Sequence, residues 1–157
     1  LGAATPVWSS FPSASFVFIG PRTRHSRSLF KRYRDRRVLE LGVVDLATKT
    51  NALAACDLLC VPSTQESFGA VFPEAWMMGK PVIGGTAPAV QEIIDHGVDG
   101  LIVDQDSRAI AEAISQLIAD PQGREEMGRR GKEKTLARYT WEYLVRETER
   151  AYEFVLG

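Results

Sequence analysis

The sequence predicts a doubly wound α/β domain, a Rossmann-like parallel sheet with helices on both faces, followed by closing helices. Three observations point there. Short runs rich in β-branched or aromatic residues recur over the first two thirds of the chain. Each is followed by turn residues and then by a stretch of helical period. Most runs are apolar at successive positions, as parallel strands covered by helices on both faces must be.

The first run is Ser15-Phe16-Val17-Phe18-Ile19, broken by Gly20-Pro21 and followed by a helix candidate from Arg24 to Tyr33. Val38-Leu39-Glu40-Leu41 is the second, with a helix from Lys49 to Ala55. Leu58-Leu59-Cys60-Val61 leads into a helix from Ala70 to Met78, which Gly79 terminates. Pro81-Val82-Ile83 precedes a helix from Ala89 to His96, and Leu101-Ile102-Val103 is the last strand. Beyond Val103 only helices are expected. Ala109 to Ala119 places Ile110, Ile114, Leu117 and Ile118 on one face, and Asp120-Pro121 reads as N-cap and first-turn proline of the next helix. Thr140 caps the last one, where Trp141, Leu144, Val145, Thr148, Ala151, Tyr152 and Val155 form a stripe expected to make core contact. Nothing resembles a repeat or a linker, so residues 1–157 read as one unit.

At 157 residues, 45% apolar and 25% charged, the chain has room for one domain with a real core. No apolar run approaches the roughly 18 to 20 residues of a membrane span, and the N-terminus lacks the cationic-then-apolar signal pattern. The chain starts on Leu1 without Met, which suggests a piece of a longer protein. Cys56 and Cys60 have neither redox nor zinc spacing and read as buried reduced thiols, which fits a cytoplasmic setting. His25 and His96 have no nucleophile or metal partner near them in sequence. Trp8, Trp76 and Trp141 read as core aromatics, with Trp76 close enough to Glu74 to border a site.

The net charge of −1 conceals an asymmetry. Pro21 to Arg37 holds eight Lys/Arg against one acid, which leaves 11 bases and 19 acids elsewhere. The plain reading is a solvated helix face with Leu29, Phe30 and Tyr33 turned inward. An anionic membrane surface is the alternative partner, and nucleic acid is disfavoured.

The stretch that carries chemistry is Pro62-Ser63-Thr64-Gln65-Glu66-Ser67-Phe68-Gly69-Ala70-Val71-Phe72-Pro73-Glu74, which begins at the carboxyl end of a strand, where open α/β sheets bind ligands. Gly69 lets backbone approach a ligand closely, and the free N–H groups of the following helix start favour phosphate. Glu66 and Glu74 flank this turn. A carboxylate there would repel a bare phosphate, so its useful task is to accept hydrogen bonds from hydroxyls beside one. A nucleotide sugar has such hydroxyls on both sides of its diphosphate. On spacing alone, the rival reading is a loop acid and a first-turn acid favoured by the helix dipole.

The run E-S-F-G-A-V-F-P-E-A followed by M-G-K-P-V-I resembles the E-x(7)-E signature of retaining glycosyltransferases of the GT-B architecture, family 4 type. A-C-D-L-L-C-V-P-S before it, E-I-I-D-H-G-V-D-G-L-I-V after it, and A-D-P-Q-G-R-E-E-M-G and R-Y-T-W further on extend the resemblance from about Ser15 to Val155. It implies the donor-binding domain of such an enzyme. Glu66 would contact donor-sugar hydroxyls and Glu74 the ribose, while the backbone N–H groups of Ser67, Phe68 and Gly69 would hold sugar and diphosphate. The base would lie near Gly42, Val43 and Val44. It also implies a nucleoside diphosphate sugar as donor, retention at the anomeric carbon, no metal and no cofactor.

Two departures bear on the sugar side. Pro88-Ala89 stands ahead of Glu92 where many members carry Gly-Gly, with Gly84-Gly85 earlier, and Pro73 replaces a common aliphatic residue. An Arg and a Lys that neutralise the leaving diphosphate in the family would precede Leu1, as would the acceptor-binding N-terminal domain. Isolated residues 1–157 are therefore expected to transfer little or nothing, and no catalytic residue is assigned. A nucleotide-sugar epimerase shares the phosphate-binding logic and is the closest rival. A glycoside hydrolase, with carboxylates across the scissile bond, does not need an anion cradle between them.

Overall fold

The computed structural model describes residues 1–157. Eight helices and five strands follow one another as α1 (Ala4–Ser10), β1 (Phe16–Ile19), α2 (Arg24–Arg32), β2 (Val38–Gly42), α3 (Leu46–Ala55), β3 (Leu59–Val61), α4 (Val71–Met77), β4 (Val82–Gly84), α5 (Pro88–Ile93), β5 (Gly100–Ile102), α6 (Ser107–Ala119), α7 (Pro121–Arg138) and α8 (Trp141–Leu156). Helix starts carry the caps their sequences offer. Thr23, Asp45, Asp106, Asp120 and Thr140 each accept a backbone N–H from the first turn of α2, α3, α6, α7 and α8. Gly79, with φ +69°, closes the C-terminal end of α4. No helix is long and apolar enough to cross a membrane.

All strand pairs are parallel, in the order β3-β4-β5 and, separately, β1-β2. β4 is central and buried on both faces. Ile83 points into a core shared with Val7 of α1, Ala111, Ile114 and Leu117 of α6, and Leu101. Val82 points the other way, toward Leu53 of α3, Phe72 and Trp76 of α4, and Val90 and Ile93 of α5. Helices thus cover both faces, as the doubly wound reading requires.

α7 packs on α4 through two glycines. A Cβ on Gly128 would lie 2.0 Å from the Gly79 carbonyl oxygen, and one on Gly131 would lie 2.0 Å from the Trp76 ring. Trp76 is fully buried, and its indole N–H donates to the Asp99 carbonyl at 2.8 Å. The Asp99 carboxylate, itself buried, accepts from the Lys134 ammonium and from the Asp95 backbone N–H. Lys134 also pairs with Asp95 at 2.7 Å and donates to the Ile93 carbonyl. Burial raises the Asp99 pKa, although its hydrogen bond with Lys134 opposes the shift. Burial pulls Lys134 down, but its hydrogen bonds to Asp95 and Asp99 and their charge outweigh this and leave it above its ordinary 10.5.

The structure departs from the sequence reading in four places. α1 was not expected, because its seven residues are too few to display a period. The sheet is divided, so β1, β2, β3 and β5 each keep one unpaired edge. Val17, Ile19, Leu39 and Leu41 are exposed on one side of β1-β2, so those strands are covered on one face only. The apolar stripe of α8 is not core: no residue of α8 is buried, and Trp141 is 80% exposed.

Gly131→Ala should force Trp76 or α7 to shift, at a cost of about 3 kcal/mol in a urea unfolding curve. Lys134→Met leaves a buried carboxylate unpaired and should cost about 3 kcal/mol at neutral pH. Because the Lys134 pKa is raised in the folded chain, its contribution is complete below 10.5 and is lost as pH rises through the folded value. The stability difference between the native chain and Lys134→Met should therefore narrow above that pH.

Candidate functional site

β3 ends at Val61, and the chain turns out of the sheet through Pro62 and Ser63. Two close approaches fix this turn. A Cβ on Gly85 would lie 2.2 Å from the Ser63 carbonyl oxygen, and the Gln105 side-chain amide donates to the Pro62 carbonyl at 2.9 Å. Gly85, just after β4, is thus a packing requirement against this loop, whereas Gly84 is one against α5, where a Cβ would lie 2.5 Å from Val90 and from Ile94. At Gly69 the backbone adopts φ +75°, and a Cβ there would lie 2.7 Å from the buried Phe72 ring and 3.4 Å from Glu66 Cγ. Glycine is needed on both counts.

The backbone N–H groups of Phe68, Gly69, Ala70 and Val71 have no acceptor within the chain. The Ser67 N–H does have one: it donates to Glu66 Oε1 at 3.1 Å. Four successive free donors at the carboxyl edge of a sheet have the chemistry to cradle an anion. The side chain of Phe68 stacks edge-on against Tyr139 at 5.8 Å, which ties the cradle to the end of α7.

Glu74 stands in the first turn of α4, half-buried. Its Oε1 accepts from Lys49 Nζ at 2.6 Å. Lys49 lies one turn into α3, whose N-cap Asp45 directly follows Gly42, Val43 and Val44. This ion pair therefore joins the two segments that the sequence assigned to one site, since α3 starts at the second and Glu74 belongs to the first. Gly42 is buried with φ +74° at the end of β2, and the Arg22 guanidinium lies over it, 3.4 Å from where its Cβ would be. Val43 is 78% exposed and Val44 is half-buried. Lys49 is the residue that sequence reasoning missed. As one lysine in an otherwise neutral helix, only its i-to-distant pairing with Glu74 marks it out.

Other sequence expectations resolve as structure. Trp76 belongs to the core beneath α4 and does not line the loop. Pro73 is buried within the first turn, where its missing N–H costs little. Cys56 and Cys60 are unpaired, and burial raises both thiols, Cys60 to about 12. His25 is exposed, and His96 Nδ1 accepts from the Ile102 N–H within a turn. No group of three or more His, Cys, Asp or Glu is arranged to hold a metal ion.

Residues 1–120 match the sequence profile of the family described as Glycosyl transferases group 1. Among curated proteins, N-acetyl-alpha-D-glucosaminyl L-malate synthase of Bacillus anthracis is 35% identical over 121 residues, covering 76% of this chain and 31% of that protein. Phosphatidyl-myo-inositol mannosyltransferase of Mycobacterium leprae is 35% identical over 117 residues, again 31% of its length. The chain thus spans less than a third of these relatives. Sucrose-phosphate synthase from Thermosynechococcus elongatus superposes with a TM-score of 0.84 at 27% identity, over 99% of this chain and 42% of that one. The C-terminal domain of a glycosyl transferase group 1 family protein from Francisella tularensis superposes at 0.78 with 25% identity, over 89% of this chain and 77% of that one. Anabaena Alr3699/HepE, solved with UDP and glucose, shares the fold at 0.81 with 24% identity, over 99% of this chain and 44% of that one. The chain belongs to the group 1 glycosyl transferases, and its fold is that of their C-terminal domain in the GT-B architecture.

Proposed function

We propose that the chain is the donor-binding domain of a glycosyltransferase, which seats a nucleoside diphosphate sugar at the loop between β3 and α4. One observation carries the reading: four unpaired backbone N–H groups, from Phe68 to Val71, stand between two glutamates that can accept from hydroxyls. The diphosphate lies on the amides. Glu74 accepts from the ribose hydroxyls, and Lys49 holds its carboxylate in place from α3. Glu66 turns from its own Ser67 amide to the sugar hydroxyls when donor arrives, which frees that amide as well. The base lies beside Gly42, Val43 and Val44. A protein of the same fold solved with UDP and glucose supports this choice of ligand.

In the whole protein the reaction is glycosyl transfer to an acceptor hydroxyl with retention, the acceptor being brought by a second, N-terminal domain. The cradle contributes by orienting the donor and by placing donors where the departing diphosphate gains charge. Glu66 and Glu74 act as binding groups in this scheme, and neither attacks carbon. An epimerase would use the same cradle without an acceptor. Acceptor-dependent product from the complete protein distinguishes the two, and sugar isomerisation without acceptor would favour the epimerase.

Titrating the chain with UDP, GDP and ADP sugars should shift the amide resonances of residues 67 to 71 in NMR spectra. No shift at millimolar ligand would overturn the assignment. Glu74→Ala should weaken binding of UDP and of UDP-sugars alike by about tenfold or more, as expected for loss of hydrogen bonds to a charged group. Glu66→Ala should weaken UDP-sugars while leaving UDP unchanged. Lys49→Met should weaken UDP severalfold and Lys49→Arg less, with no added effect in a Glu74→Ala background, measured by calorimetry.

A further inference from the structure

The fold gathers five of the eight bases between Pro21 and Arg37 into one trough. α2 runs beside β2, and between them open two adjoining grooves of about 480 Å3 each, which share Phe30, Arg34 and Glu40. Arg22, Arg27, Lys31 and Arg34 wall the first groove. The second continues it past Arg36, over the apolar side chains of Tyr33 and Val38. Phe30 is held in the floor by edge contact with Phe18 at 5.1 Å. Arg24 and Arg32 stand exposed on the same helix, outside both grooves.

Very little negative charge answers this array. Arg22 pairs with Glu40 at 3.4 Å, the one acid of the first groove. Asp35 is already occupied by Arg37, whose guanidinium makes two bonds to it and lies 3.8 Å over the Trp8 ring. The other six bases of the segment have no carboxylate partner within ion-pair distance. α2 buries no residue, so the whole cationic side faces solvent.

We propose that this trough is a docking surface for an anionic lipid bilayer, with headgroup phosphates seated among Arg22, Arg27, Lys31 and Arg34. A concave cationic wall above an apolar floor suits a phosphate joined to a less polar body. The bases extend beyond the grooves along a helix about 13 Å long, so a surface of many headgroups engages all of them at once. A small soluble anion reaches only the four of one groove. Single-stranded nucleic acid would need exposed aromatic rings on which to stack, and Phe30 and Tyr33 are instead half-buried.

Sedimentation of the chain with vesicles tests the proposal, comparing pure phosphatidylcholine with vesicles in which about one third is phosphatidylglycerol. Binding to the anionic vesicles should be at least about tenfold tighter and should vanish between about 50 and about 500 mM NaCl. The triple variant Arg27→Glu, Lys31→Glu, Arg34→Glu should lose that binding while its UDP titration stays unchanged, which separates this surface from the donor site. Should the triple variant fail to fold, Lys31→Glu alone must still weaken vesicle binding severalfold. Equal binding to neutral and anionic vesicles, or undiminished binding by the variants, overturns the proposal. So does displacement by millimolar inorganic phosphate, which marks a site for a soluble anion, or tighter binding to a DNA duplex at equal salt.

Discussion

The buried contact among Trp76, Asp99 and Lys134 is the constraint on which the rest of the domain depends. α4 is only seven residues long, too short to hold its direction by its own hydrogen bonds. Its orientation comes from Trp76, which is fixed from below by the Asp99 carbonyl and from the side by the glycine face of α7. An ammonium and two carboxylates then close the junction of α5, β5 and α7. Every one of these groups has a partner, and no buried side-chain polar atom in the chain lacks one. Charges taken out of water are tolerable only under that condition.

Glu74 lies two residues before Trp76, so rigidity at the bottom of α4 becomes precision at its top. The same logic applies at the loop. Gly69 leaves no room for a side chain between Phe72 and Glu66, and Phe68 is held by Tyr139, so the free amides belong to a turn fixed from several sides. Core packing and the Glu74–Lys49 pair are thus adjacent in sequence and opposite in space: one side of α4 is indole and phenyl, the other a carboxylate and its lysine.

Much of this was legible before the structure. Strand positions followed from apolar runs and differ by one residue at most at each end, because short runs of apolar and β-branched residues bounded by turn residues mark strands whether one face or both are covered. The caps at Asp120 and Thr140 were readable because capping is a local effect of one side chain on the next turn. The turn at Gly69, with Glu66 before it and Glu74 in the first turn of α4, was readable from the order of residues. Three features were not. Lys49 reaches Glu74 across 25 positions, and nothing local announces such a pairing. α1 is shorter than the period that would reveal it. The stripe on α8 has the spacing of a core helix, yet Trp141 and Val155 face solvent, because periodicity reports which side of a helix is apolar and not whether anything lies against it.

The division of the sheet has a consequence for cooperativity. β1, α2 and β2 pair with one another, while β3, β4 and β5 form the other ladder, and no backbone hydrogen bond of a sheet joins them. The connection is made by side chains, chiefly Phe16 against Trp8 and the α1 core, and by the covalent passage through α3. Local opening of the first unit breaks none of the Trp76 junction, so the two units can lose protection against amide exchange at different free energies. The basic trough and the free amides of residues 68–71 fall on opposite sides of that divide. α3, whose first turn carries the lysine that holds Glu74, is the covalent link between the two sides.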